Sequence, residues 1–276
     1  MHVFLNGHCV PEAEARVPVA DRGFLYGDGL FETLRVAGGR PLHWEAHLAR
    51  LARGADILGL SLPFSSGDLR SGARRLVELN GLAEAVLRLT LTRGPGPRGY
   101  SPRGAATPTV VMSLHPAPPA PAGPVRVLIS THRIVAGDVL STLKTCSKIT
   151  WVMARAEADA RGAGEALLLN TAGHLAEATA SNLFWVRAGV VATPPLRAGA
   201  LDGITRARVL RACADLGIPA VETEAPPADL LGAEGIFLSG SVAGVVDVGE
   251  LDGRPVPCSP LAARIRSVLA AGDQAG

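Results

Sequence analysis

The amino-acid sequence predicts an α+β protein built from two α/β domains with mixed sheets. Strand-like alternation and helix-like spacing of apolar residues succeed each other along the whole chain. A proline-rich stretch at 116–123 interrupts this succession, because proline cannot join the interior of a helix or a sheet. We therefore expect a smaller N-terminal domain over 1–115, a linker over 116–123 and a larger C-terminal domain over 124–276.

The first domain begins with a predicted hairpin, since the apolar runs 3–5 and 8–10 flank the turn dipeptide Asn6-Gly7. Apolar residues at helical spacing then predict a helix that ends at Gly59 and a second helix over 68–80, which Gly81 ends. Alternation of apolar and polar residues predicts three strands around these helices, at 30–36, 86–93 and 109–114.

The second domain also mixes the two kinds of element. Apolar runs predict strands at 125–130, 165–170, 182–186, 190–193 and 235–238. Helical spacing predicts helices at 150–161, 204–216 and 261–271. We find no internal repeat.

The composition excludes several classes of function. The 276 residues carry a formal net charge of only +2, and the arginines are spread along the chain, which argues against a nucleic-acid-binding protein. No apolar run approaches the ~18 residues of a membrane span, and the N-terminus lacks the pattern of a signal peptide. The 4 cysteines lie far apart, so we expect neither disulfides nor a metal site, and a cytoplasmic location.

Lysine is almost absent from the chain. Lys144 and Lys148 are the only two among 27 basic residues, and the others are arginines. Because arginine cannot replace an amine that loses its proton, at least one lysine is a candidate for amine chemistry. Chance survival of two surface lysines explains the count equally well. Lys144 follows the apolar run 139–143, where partial burial favours a nucleophilic amine, whereas Lys148 is expected on the surface.

A glycine pattern at 94–99 matches G-x-G-x-x-G and follows a predicted strand. A dinucleotide site also needs a helix that begins at the third glycine and an acidic residue about 20 positions later. Here Tyr100-Ser101-Pro102 cannot begin that helix and position 119 is a proline. We therefore reject a dinucleotide-binding domain, and we find no P-loop, no zinc-protease motif and no nucleophile elbow.

Three features of the second domain complement an amine at Lys144. Glu177 lies between two predicted strands, Gly203-Ile204-Thr205 begins a helix, and Ser239-Gly240-Ser241 follows a buried strand. Each taken alone has an ordinary explanation, as a surface glutamate, a helix cap and a tight turn. Together, an amine, a carboxylate and a phosphate-binding helix start are what pyridoxal 5'-phosphate requires.

Motifs spread over nearly the whole chain resemble those of the class IV (fold type IV) pyridoxal-phosphate enzymes. They are Asp21-Arg-Gly-Phe-Leu-Tyr-Gly-Asp-Gly-Leu-Phe-Glu-Thr-Leu-Arg35, His47-Leu-Ala-Arg-Leu51, Leu143-Lys-Thr, Glu177-Ala-Thr-Ala-Ser-Asn-Leu-Phe184, Gly203-Ile-Thr-Arg206 and Ser239-Gly-Ser241. This family contains branched-chain and D-amino acid aminotransferases and aminodeoxychorismate lyase.

The resemblance implies a fold, a cofactor and a set of residues. The fold is the fold type IV arrangement, with pyridoxal 5'-phosphate in the cleft between the two domains of a homodimeric enzyme. Lys144 corresponds to the Schiff-base lysine and Glu177 to the partner of the pyridine nitrogen. The residues that correspond to phosphate ligands are Arg50, Ile204, Thr205 and Ser241.

Within the family, the segment Thr92-Arg-Gly-Pro-Gly-Pro-Arg-Gly-Tyr-Ser-Pro102 resembles aminodeoxychorismate lyases. Ile149 stands where branched-chain aminotransferases usually have a tyrosine, and the histidine of D-amino acid aminotransferases is missing from this segment. We therefore expect a 4-amino-4-deoxychorismate lyase that yields 4-aminobenzoate and pyruvate for folate biosynthesis, with Phe31 and Arg98 on the substrate side. The alternatives are a class IV aminotransferase of branched-chain or D-amino acids, and a binding protein that has lost its chemistry.

Overall fold

The computed structural model describes residues 1–105 and 107–275 of the chain, with 274 and 275 described by their backbone alone. The internal contacts divide the chain into two units. The first comprises Met1–Pro119 together with the short segment Lys144–Ser147, and the second comprises Ala120–Leu143 and the residues from Lys148 onward. The α+β class is confirmed, since helices and strands alternate in both units. The domain boundaries at 116 and 123 stay a prediction.

The first unit combines strands with two long helices. Its elements are β1 (His2–Leu5), β2 (His8–Pro11), α1 (Arg22–Tyr26), β3 (Gly29–Ala37), β4 (Arg40–Pro41), α2 (Trp44–Leu58), α3 (Ser66–Asn80), β5 (Ala85–Thr92) and β6 (Thr109–Pro116). The described residues form a six-stranded sheet in the order β2-β1-β6-β5-β3-β4, in which every pair of strands is antiparallel.

The two faces of this sheet differ. Along β3 and β5, alternate residues such as Leu34 and Leu89 are fully buried, and α2 and α3 pack against the sheet. Successive side chains of a strand point to opposite faces, so the intervening residues form the second face. There Phe31 and Thr33 are half-buried and Arg88 is exposed.

The second unit is larger and carries the parallel strand pairs. Its elements are β7 (Val125–Ile134), α4 (Val139–Thr142), α5 (Ile149–Ala160), β8 (Glu165–Asn170), β9 (Leu175–Ala178), β10 (Asn182–Arg187), β11 (Val190–Thr193), α6 (Ile204–Asp215), β12 (Ala220–Glu222), β13 (Gly235–Gly240), β14 (Gly244–Leu251), β15 (Arg254–Pro255) and α7 (Pro260–Ala275).

The sheet of this unit is mixed. Eight of its nine described strands follow the order β12-β11-β10-β13-β14-β7-β8-β9, and β15 pairs with β14. The pairs β11–β12, β14–β7 and β7–β8 are parallel, and the others are antiparallel. Helix α5 packs on β7 and β8, while α6 and α7 pack on β13 and β14. Among the described residues, every helix is too short or too polar to cross a lipid bilayer.

The predicted helices and strands are largely confirmed. Helices α2 and α3 end at Gly59 and Gly81, whose φ angles of +60° and +63° suit a residue without a side chain. Strand β8 has the predicted bounds. The hydrophobic pattern missed the short elements α1, α4 and β9, because a four- or five-residue element has too few turns or alternations to show a period. It also missed β14, because burial does not alternate along the eight residues of this strand.

Candidate active site

The backbone around Lys144 lies along the edge of β3. The Phe31 N–H donates to the Lys144 carbonyl at 2.9 Å, and the Cys146 N–H donates to the Gly29 carbonyl at 2.8 Å. Leu30 and Thr145 form the antiparallel bridge between these two bonds. This pairing places Lys144 opposite Phe31, and its Nζ lies 4.7 Å from the centroid of the Phe31 ring. The structure therefore brings together two residues that the sequence analysis assigned to the site.

Arg50 on α2 is buried and bound to a buried carboxylate. Its Nε and Nη2 donate to the two oxygens of Glu32 at 2.8 and 2.5 Å, and Nδ1 of His47 lies 2.6 Å from the same carboxylate. Burial by itself would raise the pKa of Glu32. The hydrogen bonds from Arg50 and His47 outweigh this effect, so the pKa lies below its ordinary value and Glu32 stays ionised. The guanidinium of Arg50 is thereby held in a fixed orientation.

Lys144 also acts electrostatically on this cluster. Burial lowers the pKa of His47, the hydrogen bond to Glu32 opposes that effect, and the charges of Arg50 and Lys144 lower it further. The pKa of His47 therefore lies below its ordinary value. The sequence analysis did not identify Glu32 or His47. Two sequence features could have identified them: Glu32 is a carboxylate at a buried position of β3, and His47 lies three residues before Arg50 on the same helix face.

The loop that carries Arg98 is fixed through its backbone. Arg22, which is 3% exposed, donates to the carbonyls of Gly99 at 2.8 Å and Tyr100 at 3.0 Å. The Gly99 N–H donates to the Tyr26 hydroxyl at 3.1 Å. Arg98 itself is exposed, so the loop presents a charged side chain from a restrained backbone. As expected, no helix begins at Gly99.

In the second unit, Glu177 lies on β9 and not between two strands as the sequence predicts. It is 6% exposed, and its carboxylate accepts hydrogen bonds from Trp151 Nε1 and the Leu201 N–H, both at 2.8 Å. Lys148 Nζ lies 3.9 Å from the centroid of the Trp151 ring. Lys148 is half-buried and lies on the ring of the residue that binds Glu177. It is therefore not the solvated surface lysine that the sequence predicts.

The start of α6 fits a phosphorylated cofactor. Its N-cap is Gly203, no side chain caps it, and Thr205 in its first turn is buried. A Cβ on Gly203 would meet Asn182 Oδ1 at 2.0 Å, so only glycine allows this close packing. Ser239, at the end of β13, has a buried hydroxyl without a hydrogen-bond partner in the described part of the chain. The N–H groups at the start of a helix and a buried hydroxyl like that of Ser239 are hydrogen-bond donors of the kind that a phosphate ester binds.

The predicted residues thus fall into two groups. Phe31, Arg50, Arg98 and Lys144 belong to the first unit, and Glu177, Ile204, Thr205 and Ser241 belong to the second. Within the described residues, no group of histidine, cysteine and acidic side chains could hold a metal ion.

Comparison with known proteins gives a consistent set of similarities. The family model "Amino-transferase class IV" matches residues 29–251. A protein of Methanocaldococcus jannaschii, named "Putative branched-chain-amino-acid aminotransferase", is 34% identical over 93% of this chain and 90% of its own. The crystal structure of 4-amino-4-deoxychorismate lyase from Pseudomonas aeruginosa has a TM-score of 0.87 and 33% identity, covering 98% of both chains. The crystal structure of a T.th. branched-chain amino acid aminotransferase with pyridoxamine 5'-phosphate has a TM-score of 0.91 and 29% identity, covering 99% of this chain and 94% of its own.

Proposed function

The chain belongs to the class IV aminotransferase family of pyridoxal-phosphate enzymes, and from this premise we propose that it is a 4-amino-4-deoxychorismate lyase. The products are 4-aminobenzoate, a precursor for folate biosynthesis, and pyruvate. The family includes both lyases and aminotransferases, so the choice between them depends on the residues that face the substrate.

We assign the cofactor to the residues that the family resemblance implies. Lys144 is the amine that holds it covalently, and Glu177 is the carboxylate that keeps the pyridine nitrogen protonated. The phosphate ligands are Arg50, Ile204, Thr205 and Ser241. When bound, pyridoxal 5'-phosphate supplies a conjugated ring that withdraws electrons from the amine-bearing carbon of the substrate.

Lys144 also moves the protons of the reaction. Its Nζ removes the proton from C4 of the substrate, the carbon that bears the amine. The electron pair left at C4 forms a ring double bond as the bond between C3 and the enolpyruvyl oxygen breaks. The ring becomes aromatic, and Lys144 returns the proton to the departing enolate, which leaves as pyruvate. Phe31, which contacts the amine of Lys144, limits the positions that this side chain can adopt.

The observation that carries the choice of substrate is the restrained loop around Arg98. The lyase-like segment is held by Arg22 and Tyr26 through the backbone of Gly99 and Tyr100. A guanidinium presented from a fixed backbone suits a substrate carboxylate, because less conformational entropy is lost on binding. Arg98 therefore binds one carboxylate of the substrate.

A class IV aminotransferase of branched-chain or D-amino acids is the alternative, and the 34% identity to the Methanocaldococcus jannaschii protein favours it. Such an enzyme needs an amino acceptor for every turnover, whereas a lyase needs none. The two functions therefore differ in one measurable requirement.

A coupled assay for pyruvate and 4-aminobenzoate tests the proposal. The enzyme loaded with pyridoxal 5'-phosphate receives aminodeoxychorismate and no keto acid. We expect continuous formation of both products in equal amounts. Absence of product from enzyme that visibly binds the cofactor would contradict the lyase, and absorbance changes with L- or D-amino acids would then establish the aminotransferase.

We further infer a homodimer, as the resemblance implies, and a cytoplasmic location, which the widely spaced cysteines favour. The expected mass in sedimentation equilibrium is twice that of the chain, and the mass of a single chain would contradict the inference.

A further inference from the structure

Asn182 is a buried amide at the start of β10, with 5% of its surface exposed. The chain reaches it from β9 through a short connection, which a 2.8 Å hydrogen bond from the Ala178 N–H to the Ser181 carbonyl closes. Glu177, on β9, and Asn182 thus lie on two successive strands. Because a buried primary amide needs hydrogen-bond partners, the groups around Asn182 indicate its role.

The backbone of Leu201 is bound on both sides. Its N–H donates to Oε2 of Glu177 at 2.8 Å, and its carbonyl accepts from Nδ2 of Asn182 at 2.9 Å. A single backbone residue therefore connects the carboxylate that we assign to the pyridine nitrogen with the amide of Asn182.

The same amide packs against the start of α6. Gly203, two residues after Leu201, is the N-cap of this helix, and a Cβ added there would lie 2.0 Å from Oδ1 and 3.1 Å from Cγ of Asn182. In the pairing of β10 with β13, Asn182 is opposite Ser239, whose hydroxyl is buried. Asn182 therefore adjoins the backbone that binds Glu177 and also the groups at the phosphate end of the site.

We propose that Asn182 is a positioning residue that sets the spacing between Glu177 and the start of α6. The proposal rests on the cofactor residues assigned above, and Asn182 acts through Leu201 and Gly203. In pyridoxal 5'-phosphate, one rigid ring and a short ester link join the pyridine nitrogen to the phosphate. A site that binds both groups gains affinity when its own two ends are held at the matching spacing before the cofactor arrives.

Titration of the apoenzyme with two ligands, followed by absorbance, tests this role. Pyridoxal 5'-phosphate uses both ends of the site, whereas pyridoxal lacks the phosphate. In Asn182→Ala we expect the affinity for pyridoxal 5'-phosphate to fall by about tenfold, as for one lost buried hydrogen bond, and the affinity for pyridoxal to stay near that of the wild type. Equal losses for the two ligands would overturn the proposal, and so would unchanged affinities.

Asn170→Ala is the matched control. Asn170 on β8 is another buried amide that binds the connection before α6, because its Nδ2 donates to the Ala198 carbonyl at 3.0 Å. Its Oδ1 also accepts from the N–H groups of Ala172 and His174, both at 3.0 Å. The melting temperature of this variant should fall at least as far as that of Asn182→Ala, while the ratio of the two affinities stays that of the wild type. An equal fall of this ratio in both variants would show that loosening of the fold explains the loss.

Gly203→Ala approaches the same contact from the other side. The added Cβ overlaps the amide oxygen of Asn182, so we expect a loss of affinity for pyridoxal 5'-phosphate. In the Asn182→Ala background this oxygen is absent, and Gly203→Ala should then cause little further loss. Additive losses in the double variant would contradict the proposed contact.

These titrations contain no substrate, so they separate the role of Asn182 from the lyase function. A wild type that binds pyridoxal 5'-phosphate but does not turn over aminodeoxychorismate refutes the lyase, and the affinities still decide the role of Asn182. A wild type that binds pyridoxal as tightly as pyridoxal 5'-phosphate refutes the assigned phosphate ligands and the role of Asn182 together.

Discussion

The two lysines of the chain have different neighbours, although they are four residues apart. Lys144 contacts the Phe31 ring and belongs to the first unit, whereas Lys148 stacks on Trp151 in the second. The amine chemistry that the scarcity of lysine indicates therefore has two candidates with distinct surroundings. We assign covalent attachment of the cofactor to Lys144, because the motif Leu143-Lys-Thr resembles the one that carries the Schiff-base lysine in the family.

Replacing each lysine by alanine distinguishes their roles. Lys144→Ala should reduce turnover by at least a factor of about 10²–10⁴, the contribution of a positioned acid–base group, while circular dichroism and the melting temperature stay near those of the wild type. Lys148→Ala should keep most of the turnover. Equal losses in the two variants would contradict the assignment of Lys144.

Trp151→Phe tests whether the indole N–H fixes Glu177. The change keeps an aromatic ring in place and removes the donor of the 2.8 Å hydrogen bond. We expect the affinity for pyridoxal 5'-phosphate to fall by about tenfold, as for one hydrogen bond to a charged group, in absorbance titrations of the apoenzyme.

Trp44→Phe is the control for this variant. It removes another indole donor, which binds Ser66 on α3 in the first unit. The melting temperature of this variant should decrease while the affinity for the cofactor remains that of the wild type. The same affinity in both variants would show that Trp151 does not position Glu177.

At the scale of elements, the short helix α1 organises the loop between β5 and β6. Its N-cap residue Asp21 binds the hydroxyls of Thr92 and Thr109, which flank that loop. Arg22 reaches the loop itself and is paired with Asp28, which also binds Arg93 at 2.8 Å. The loop that carries Arg98 is therefore restrained by partly buried ion pairs at the base of α1.

Asp28→Asn tests this network through its pH dependence. Burial opposes ionisation of Asp28, but hydrogen bonds from Arg93 and Arg22 outweigh it, so the pKa lies below its ordinary value. A depressed folded-state pKa contributes stability above the ordinary pKa of about 3.9, and this contribution is lost as the pH falls through the folded-state value. Asp28→Asn should therefore destabilise the protein by about 2 kcal/mol at pH 7, as for lost hydrogen bonds to a charged group, and by progressively less below about pH 4.

Denaturant unfolding between pH 7 and pH 3 measures this difference. Asp56→Asn, at an exposed residue of α2 whose side chain makes no ion pair within the described residues, should show little difference at either pH. A deficit of Asp28→Asn that stays constant down to pH 3 would mean that ionisation of Asp28 contributes nothing.

The elements differ in how well the sequence predicts them. The long helices α2 and α3 are predictable because three or four turns repeat the same apolar spacing and a glycine marks each end. Strand β9 is buried at all four residues, including Glu177, so it lacks the alternation by which a half-buried strand is recognised. Its glutamate is stable there because Trp151 and Leu201 supply hydrogen bonds from distant parts of the chain.

At the scale of the whole molecule, the cofactor should act as a stabilising ligand. A ligand that binds only the folded state adds about 2.7 kcal/mol at a hundredfold excess over its Kd. For a chain of this size, we expect removal of pyridoxal 5'-phosphate to lower the melting temperature by about 5–10 °C in scanning calorimetry. Pyridoxal without the phosphate should restore less of the difference. Identical melting temperatures with and without the cofactor would contradict its binding to the folded chain.

The sequence by itself determined the fold class, the long helices and strands, the family and the cofactor. Local periodicity encodes the elements, and the chemical identity of a residue in a motif does not depend on coordinates. The tertiary structure decided which residues meet: Lys144 and Arg88 contact the Phe31 ring, and Arg50 pairs with Glu32. These contacts join segments that are distant along the chain, and they form only when strands pair and helices pack cooperatively. No local pattern specifies that register, which is why these contacts were visible only in three dimensions.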